Sequence, residues 1–248
     1  MTALVVIAKE CLPGRVKTRL HPALSFEQAA ELAAASLDDT LTAALALPAS
    51  RRILAFDGVT PPRLAAEFEI LPQVAGSLDE RLAAIFDGLD EPTVLIGMDT
   101  PQVTTELLAP VFTDWSDDTD AWLGLADDGG FWALALAATR GGSSRGHSRN
   151  GHSQRGDLIR GVAMSMDDTG ARQLDRLQEA GLRVRHLPVL TDVDTIADAH
   201  SVAATVPDGR FARTLAALLP DAVAARTDAR PADRAATGTV ATGIPVRA

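Results

Sequence analysis

Apolar positions along the chain follow two rhythms, one of period two or continuous, the other of period 3.6. Ala3-Leu4-Val5-Val6-Ile7-Ala8 is an unbroken apolar run rich in β-branched residues. Such a run marks a strand covered on both faces, so a central strand is expected there. After a polar, glycine-containing loop, Phe26, Ala29, Ala30, Ala33, Leu37, Leu41 and Leu45 recur at helical spacing behind Ser25-Phe26-Glu27-Gln28, which has the form of a capping box. The stretch from Arg51 to Phe56 predicts a second strand, and Ser77-Leu78-Asp79-Glu80 caps a helix with Leu82, Ile85 and Phe86 on one face. Thr93 to Gly97 predicts a third strand. Residues 121–126 and 131–138 flank Asp127-Asp128-Gly129-Gly130 and predict two strands on a tight, glycine-dependent turn. Leu182 to Leu187 is the last strand, with Thr195-Ile196-Ala197-Asp198 opening a helix behind it.

Strands that alternate with amphipathic helices imply an α/β fold: one domain over residues 1–225, with a mostly parallel central sheet flanked by helices and antiparallel character on one side. Ligands of such sheets bind beyond the carboxyl ends of the strands. Two segments break the pattern. Residues 140–156 (RGGSSRGHSRNGHSQRG) carry almost no apolar side chain, so a mobile loop is expected. Residues 226–248, aperiodic and rich in Ala, Thr, Arg, Asp and Pro, read as a disordered tail.

Composition narrows the function. At 248 residues and 46% hydrophobic, the chain builds one large core. A formal charge of −10 argues against a nucleic-acid partner, because affinity for a polyanion comes from clustered Lys and Arg. Cys11 stands alone, which excludes an intrachain disulfide. The first apolar run is far shorter than the roughly 20 residues of a spanning helix, so neither membrane insertion nor a signal peptide is expected, and the protein reads as cytoplasmic. The five histidines form no ligand set, and no serine-hydrolase elbow is present.

Four clusters carry candidate chemistry. Lys9 is followed by Pro13-Gly14-Arg15-Val16-Lys17-Thr18-Arg19, four cations at the carboxyl end of a buried strand in an acidic protein. They are placed to neutralise a polyphosphate, with Gly14 letting the backbone approach it; the alternative is a set of solvated loop charges. Asp99 follows the third strand in Gly97-Met98-Asp99-Thr100-Pro101-Gln102 and reads either as an oxygen ligand of Mg²⁺ or Mn²⁺ or as a cap of the turn or next helix. In Asp127-Asp128-Gly129-Gly130-Phe131-Trp132 the glycines suit a hairpin, while Asp128 and the aromatic pair could line an acceptor pocket. In Thr191-Asp192-Val193-Asp194-Thr195 the two acids point the same way along an extended segment, toward a metal or a donor ribose, unless Asp194 or Thr195 caps the helix.

The stretches AKECLPGRVKTRLHPALSFEQAAELA, IGMDTPQVTTELL, LGLADDGGFWALAL and LPVLTDVDTIADA resemble, in that order, the bacterial glycosyltransferase-A-like family labelled CofC-like glycosyltransferases. The resemblance runs from about Leu4 to Ala199 and implies the GT-A-like fold of nucleotide-diphospho-sugar transferases. It puts Lys9, Gly14, Arg15, Lys17 and Arg19 on the phosphate-side loop, Asp99 on the metal-bearing aspartate, Asp128 on the D-G-G segment and Asp194 on the D-x-D segment. The chain departs from the family where Phe131 and Trp132 follow the glycines in place of a tyrosine, and in the loop before Val162-Ala163-Met164-Ser165. The leading expectation is a metal-dependent glycosyltransferase with a nucleotide-sugar donor and a small-molecule acceptor, and Asp128 is the residue read as general base on the acceptor hydroxyl, a role that the resemblance itself does not assign. Relatives of that fold also include nucleotidyltransferases such as the 2-phospho-lactate guanylyltransferases. A catalytically silent nucleotide-binding protein is the reading from another class.

Overall fold

The structure, a computed structural model, describes residues 1–138 and 154–220. Seven strands, β1 (Ala3–Lys9), β2 (Arg52–Asp57), β3 (Glu69–Pro72), β4 (Thr93–Ile96), β5 (Ala121–Ala126), β6 (Phe131–Leu136) and β7 (Val184–Leu190), form one sheet in the order β3-β2-β1-β4-β6-β5-β7. Pairing is parallel between β1 and β2, β1 and β4, β2 and β3, and β5 and β7. Strand β6 runs against both neighbours. The antiparallel strand therefore lies inside the sheet rather than at its side, because the hairpin from β5 folds back onto β4 and leaves β7 to extend the edge.

The continuous apolar reading of β1 is explained by cover on both faces. Leu4, Val6 and Ala8 pack with Leu37, Leu41 and Ala44 of α1 (Phe26–Ala46) and Leu108 and Val111 of α3 (Thr105–Thr113). Val5 faces the opposite layer, with Leu82, Ala83 and Phe86 of α2 (Leu78–Asp87) and Leu177 of α4 (Thr169–Glu179). Helices α5 (Ile196–Thr205) and α6 (Arg210–Leu218) add a further cluster, in which Val202, Phe211 and Leu215 meet Leu24 and Leu32.

The capping box at Ser25 is present, as is a second at Thr195, whose hydroxyl accepts from Asp198 N while the Asp198 carboxylate accepts from Thr195 N. Ser77 precedes α2, but its hydroxyl bonds the Asp79 carboxylate instead of a backbone N–H, so the predicted side-chain cap is not made. Strand β3 has no counterpart in the sequence reading, since all four of its residues are exposed at the sheet edge and one is Pro72. Strand β7 begins two residues later than predicted and runs to Leu190, drawn on by its pairing with Ala126.

The predicted mobile loop lies outside the described residues as far as 153, and the predicted tail does so entirely. The end of that loop is corrected: Arg155 is buried, 5% exposed, and donates to the carbonyls of Leu89, Glu91 and Leu136. A polar run hid an anchor because the partners that bury it come from elsewhere in the chain. Among the described residues no helix is long and apolar enough to cross a membrane.

Candidate functional site

Because β1, β4, β5 and β7 run the same way, the loops after them emerge on one edge of the sheet. A cavity of about 650 Å³ opens there, lined by Lys9, Arg19, Asp99, Asp128, Asp192 and Asp194 among others. Several contacts lock the loops together. Ser36 of α1 donates to the Met98 carbonyl at 2.9 Å, and Lys9 N donates to Met98 Sδ at 3.4 Å, which ties the loop after β4 to its neighbours. Across the sheet, Thr191 Oγ1 donates to Asp127 at 2.6 Å, Asp127 N donates to the Leu190 carbonyl, and Gln102 donates to the Thr191 carbonyl. Asp127 thus joins two loops, while its neighbour Asp128 lines the cavity.

Helix capping does not consume the candidate acids. Thr104 caps α3 and the Thr195–Asp198 box caps α5, so Asp99 and Asp194 are left to other partners. Those partners are basic. Lys17 Nζ lies 3.1 Å from Asp99, 3.5 Å from Asp194 and 3.7 Å from Asp192, and Arg19 pairs with Asp194. Burial alone would lower the pKa of the Lys17 ammonium, but the carboxylates of Asp99, Asp192 and Asp194 outweigh it and the net shift is upward. Asp192 is pushed up to about 7, first by burial, then by Asp99, Asp194 and Asp128, with Lys17 opposing.

The carboxylates of Asp128, Asp192 and Asp194 lie within 4.8 Å of one another, a grouping able to hold a metal ion. The donor set suits a hard divalent cation, being all oxygen. A further observation agrees: among the described residues Asp192 Oδ1 is buried without a hydrogen-bond partner, with Lys17 at 3.7 Å. Asp192 and Asp194 do face the same way, as their alternation along an extended segment predicts.

The basic loop divides by position. Lys9 and Arg19 line the cavity, whereas Lys17 turns into the acid cluster. Gly14, with φ +72°, and the exposed Arg15 stand on the preceding turn and are not among the lining residues. The glycines after Asp128 serve more than a hairpin. Gly129 has φ +90°, and a Cβ there would lie 1.8 Å from the Asp167 carbonyl oxygen, so this position brings the turn against the segment before α4. Phe131 lines the cavity half-buried; Trp132 is 3% exposed, its indole donating to the Pro188 carbonyl, and belongs mainly to the core.

Other lining residues escaped the sequence reading. Gln73 donates to the carbonyls of Ala8 and Ala55 and accepts from Arg81, and both side chains line the cavity. Recognition of β3 would have pointed to Gln73, since it follows that strand directly. Met164, Ser165 and Met166 form another wall, with Ser165 in a left-handed conformation at φ +60°. Cys11 is a free thiol beside this edge, pushed up to about 11 by burial and then by Asp99.

Residues 31–166, more than half of the chain, match the family described as "Uncharacterized protein conserved in bacteria (DUF2064)". No curated protein sequence matches the chain. Among solved structures, one from Desulfovibrio desulfuricans, whose name assigns it to the nucleotide-diphospho-sugar transferases, is 24% identical with a TM-score of 0.71. The match covers 91% of this chain and 97% of that one, and establishes the shared fold. A 2-C-methyl-D-erythritol 4-phosphate cytidylyltransferase of Thermus thermophilus is 16% identical, covering 82% of this chain and 98% of its own at a TM-score of 0.45. A cytidylyltransferase of Leptospira borgpetersenii is 9% identical, covering 90% and 95% at 0.46. These two likenesses are too remote to carry an argument.

Proposed function

This chain belongs to the DUF2064 family, and we propose that it is a cytoplasmic, metal-dependent transferase that moves a glycosyl group from a nucleoside-diphosphate sugar to a small-molecule acceptor, like the CofC-like glycosyltransferases its motifs resemble. The observation that carries this reading is the convergence of Asp99, Asp128, Asp192 and Asp194 on the cavity edge, with the buried Asp192 Oδ1 lacking a hydrogen-bond donor among the described residues. Lys17 and Arg19 contact three of these four carboxylates, and a divalent cation would offer the acids a further positive partner.

In this reading Asp99 and Asp194 would hold Mg²⁺ or Mn²⁺ with Asp192 beside them, although the grouping within 4.8 Å is that of Asp128, Asp192 and Asp194 and Asp99 meets it through Lys17. A bound ion would supply positive charge for the diphosphate as it leaves. Lys9 and Arg19, at the cavity wall, add charge on the donor side, while Gly14, Arg15 and Lys17 are carried as phosphate-side residues by the resemblance alone. Asp128 receives the proton of the acceptor hydroxyl; its Oδ1 accepts from Gly130 N at 2.8 Å, which orients the carboxylate. Phe131, Met164 and Met166 give that side of the cavity an apolar wall.

The experiment is thermal stabilisation of the purified protein by nucleoside diphosphates, triphosphates and diphospho-sugars, each with and without Mg²⁺ or Mn²⁺. A metal-dependent rise in Tm with one nucleoside diphosphate and its sugars is expected. A rise confined to triphosphates points instead to nucleotidyl transfer to a phosphorylated acceptor. Nucleotide binding that ignores metal, and is untouched in Asp99→Ala, points to a silent binding protein.

A further inference from the structure

Lys9 and Lys17 are the only lysines in the chain, the remaining long cationic side chains all being arginine. One of the two is enclosed by acids. The Lys17 side chain is 9% exposed, and its ammonium sits within 3.7 Å of carboxylates from the loops after β4 and β7. An ammonium is a compact point charge, closer in shape to a metal ion than the planar fork of arginine is. Asp192 and Asp194 belong both to this cage and to the group of acids able to hold a metal. A divalent cation on those oxygens would stand only a few ångströms from Nζ, where like charges repel strongly.

Release would be of the side chain alone, since Val16 and Leu20 hold the turn in the core. Lys17 adopts a left-handed conformation, φ 46° and ψ 38°, at the start of a short helical turn (Thr18–Leu20), and its side chain caps nothing there. Lys9 and Arg19 already line the cavity beside it.

We propose that Lys17 is a built-in counter-ion: it neutralises Asp99, Asp192 and Asp194 while no metal is bound, a divalent cation displaces it, and the released ammonium pairs with the phosphate of the nucleotide. Metal and nucleotide then bind cooperatively, each raising the affinity for the other, because the ion frees the cation that the phosphate needs. The inference rests on the metal-dependent reading above and adds the order in which charges are exchanged.

Calorimetric titration with Mn²⁺ alone tests it. Lys17→Met should bind Mn²⁺ at least tenfold more tightly than wild type, and Lys17→Arg should not. An affinity in Lys17→Met equal to or weaker than wild type overturns the proposal. A second measurement needs no variant. Reductive methylation of the wild-type protein, read by mass spectrometry of its two lysine-bearing peptides, should spare Lys17 in EDTA and modify it when Mg²⁺ is saturating; equal modification in both overturns the proposal. Failure of the parent reading looks different, since neither wild type nor Lys17→Met would then bind Mn²⁺ at all.

Discussion

Lys17 and Asp99 lie 82 positions apart in the chain, yet the ammonium of one stands 3.1 Å from the carboxylate of the other. That pair draws Asp192 and Asp194 to the same cation and leaves Asp192 the least satisfied member, buried, with Oδ1 lacking a hydrogen bond.

Asp192→Asn should stabilise the metal-free protein at neutral pH. A carboxyl whose pKa is raised on folding opposes the folded state wherever the unfolded chain would be ionised. For Asp192 this penalty is absent below the unfolded value of about 3.9, grows as the pH rises, and is complete above about 7. Melting in EDTA from pH 4 to pH 8 should show variant and wild type close together at the acid end, with the variant ahead by up to about 4 kcal/mol at pH 8. A wild type that gains on the variant as pH rises would contradict the raised pKa.

Asp128→Asn separates proton transfer from metal holding. As the acceptor's base, Asp128 should cost about 10²-fold or more in kcat when replaced, with Mn²⁺ affinity nearly unchanged. Asp194→Asn should weaken Mn²⁺ binding at least about tenfold by removing an oxygen ligand. Equal loss of Mn²⁺ affinity in the two variants would make Asp128 a ligand and remove it from the proton step.

Gly129→Ala should damage the cavity wall as well as stability. The new Cβ would meet the Asp167 carbonyl oxygen at 1.8 Å on a backbone with φ +90°. Either the turn or the Met164–Asp167 segment has to move, at roughly 3 kcal/mol or more. Urea denaturation within about 0.5 kcal/mol of wild type would show that the contact relaxes freely.

Arg155→Met should lower the urea midpoint by the equivalent of roughly 2–3 kcal/mol, since the buried carbonyls of Leu89 and Leu136 lose the guanidinium as donor, while the part-buried Glu91 carbonyl keeps the Thr93 hydroxyl. The guanidinium also lies over the Phe86 ring, 5.5 Å from its centre. Arg155→Lys should rescue only part, because an ammonium cannot reach the carbonyls of Leu89 and Leu136 with the same planar fork. Full stability of Arg155→Met would return this residue to the surface role its polar surroundings suggest.

Within most single elements local pattern was enough, the unmade Ser77 cap and the unread β3 being exceptions. The β-branched run of β1, the capping boxes of Ser25 and Thr195, and the alternation of Asp192 and Asp194 all act over four residues or so, and the structure carries each of them. Once the strands were read as mostly parallel, the edge on which ligands would be met followed as well, because parallel strands deliver their following loops to one side.

What tertiary structure alone decided are the contacts between loops far apart in sequence. The cations of the loop after β1 read as one phosphate-binding set, but the fold separates Lys17, turned into the acids, from Lys9 and Arg19 at the cavity wall. Gln73 follows an edge strand with no apolar signal, and Arg155 sits in a run that looks solvated until the carbonyls of Leu89, Glu91 and Leu136 close around it. In each case the partner lies many residues away, and no periodicity records it. Hydrophobic spacing reports which face of an element is buried; the direction in which a charged side chain leaves its loop depends on charges that only folding brings near.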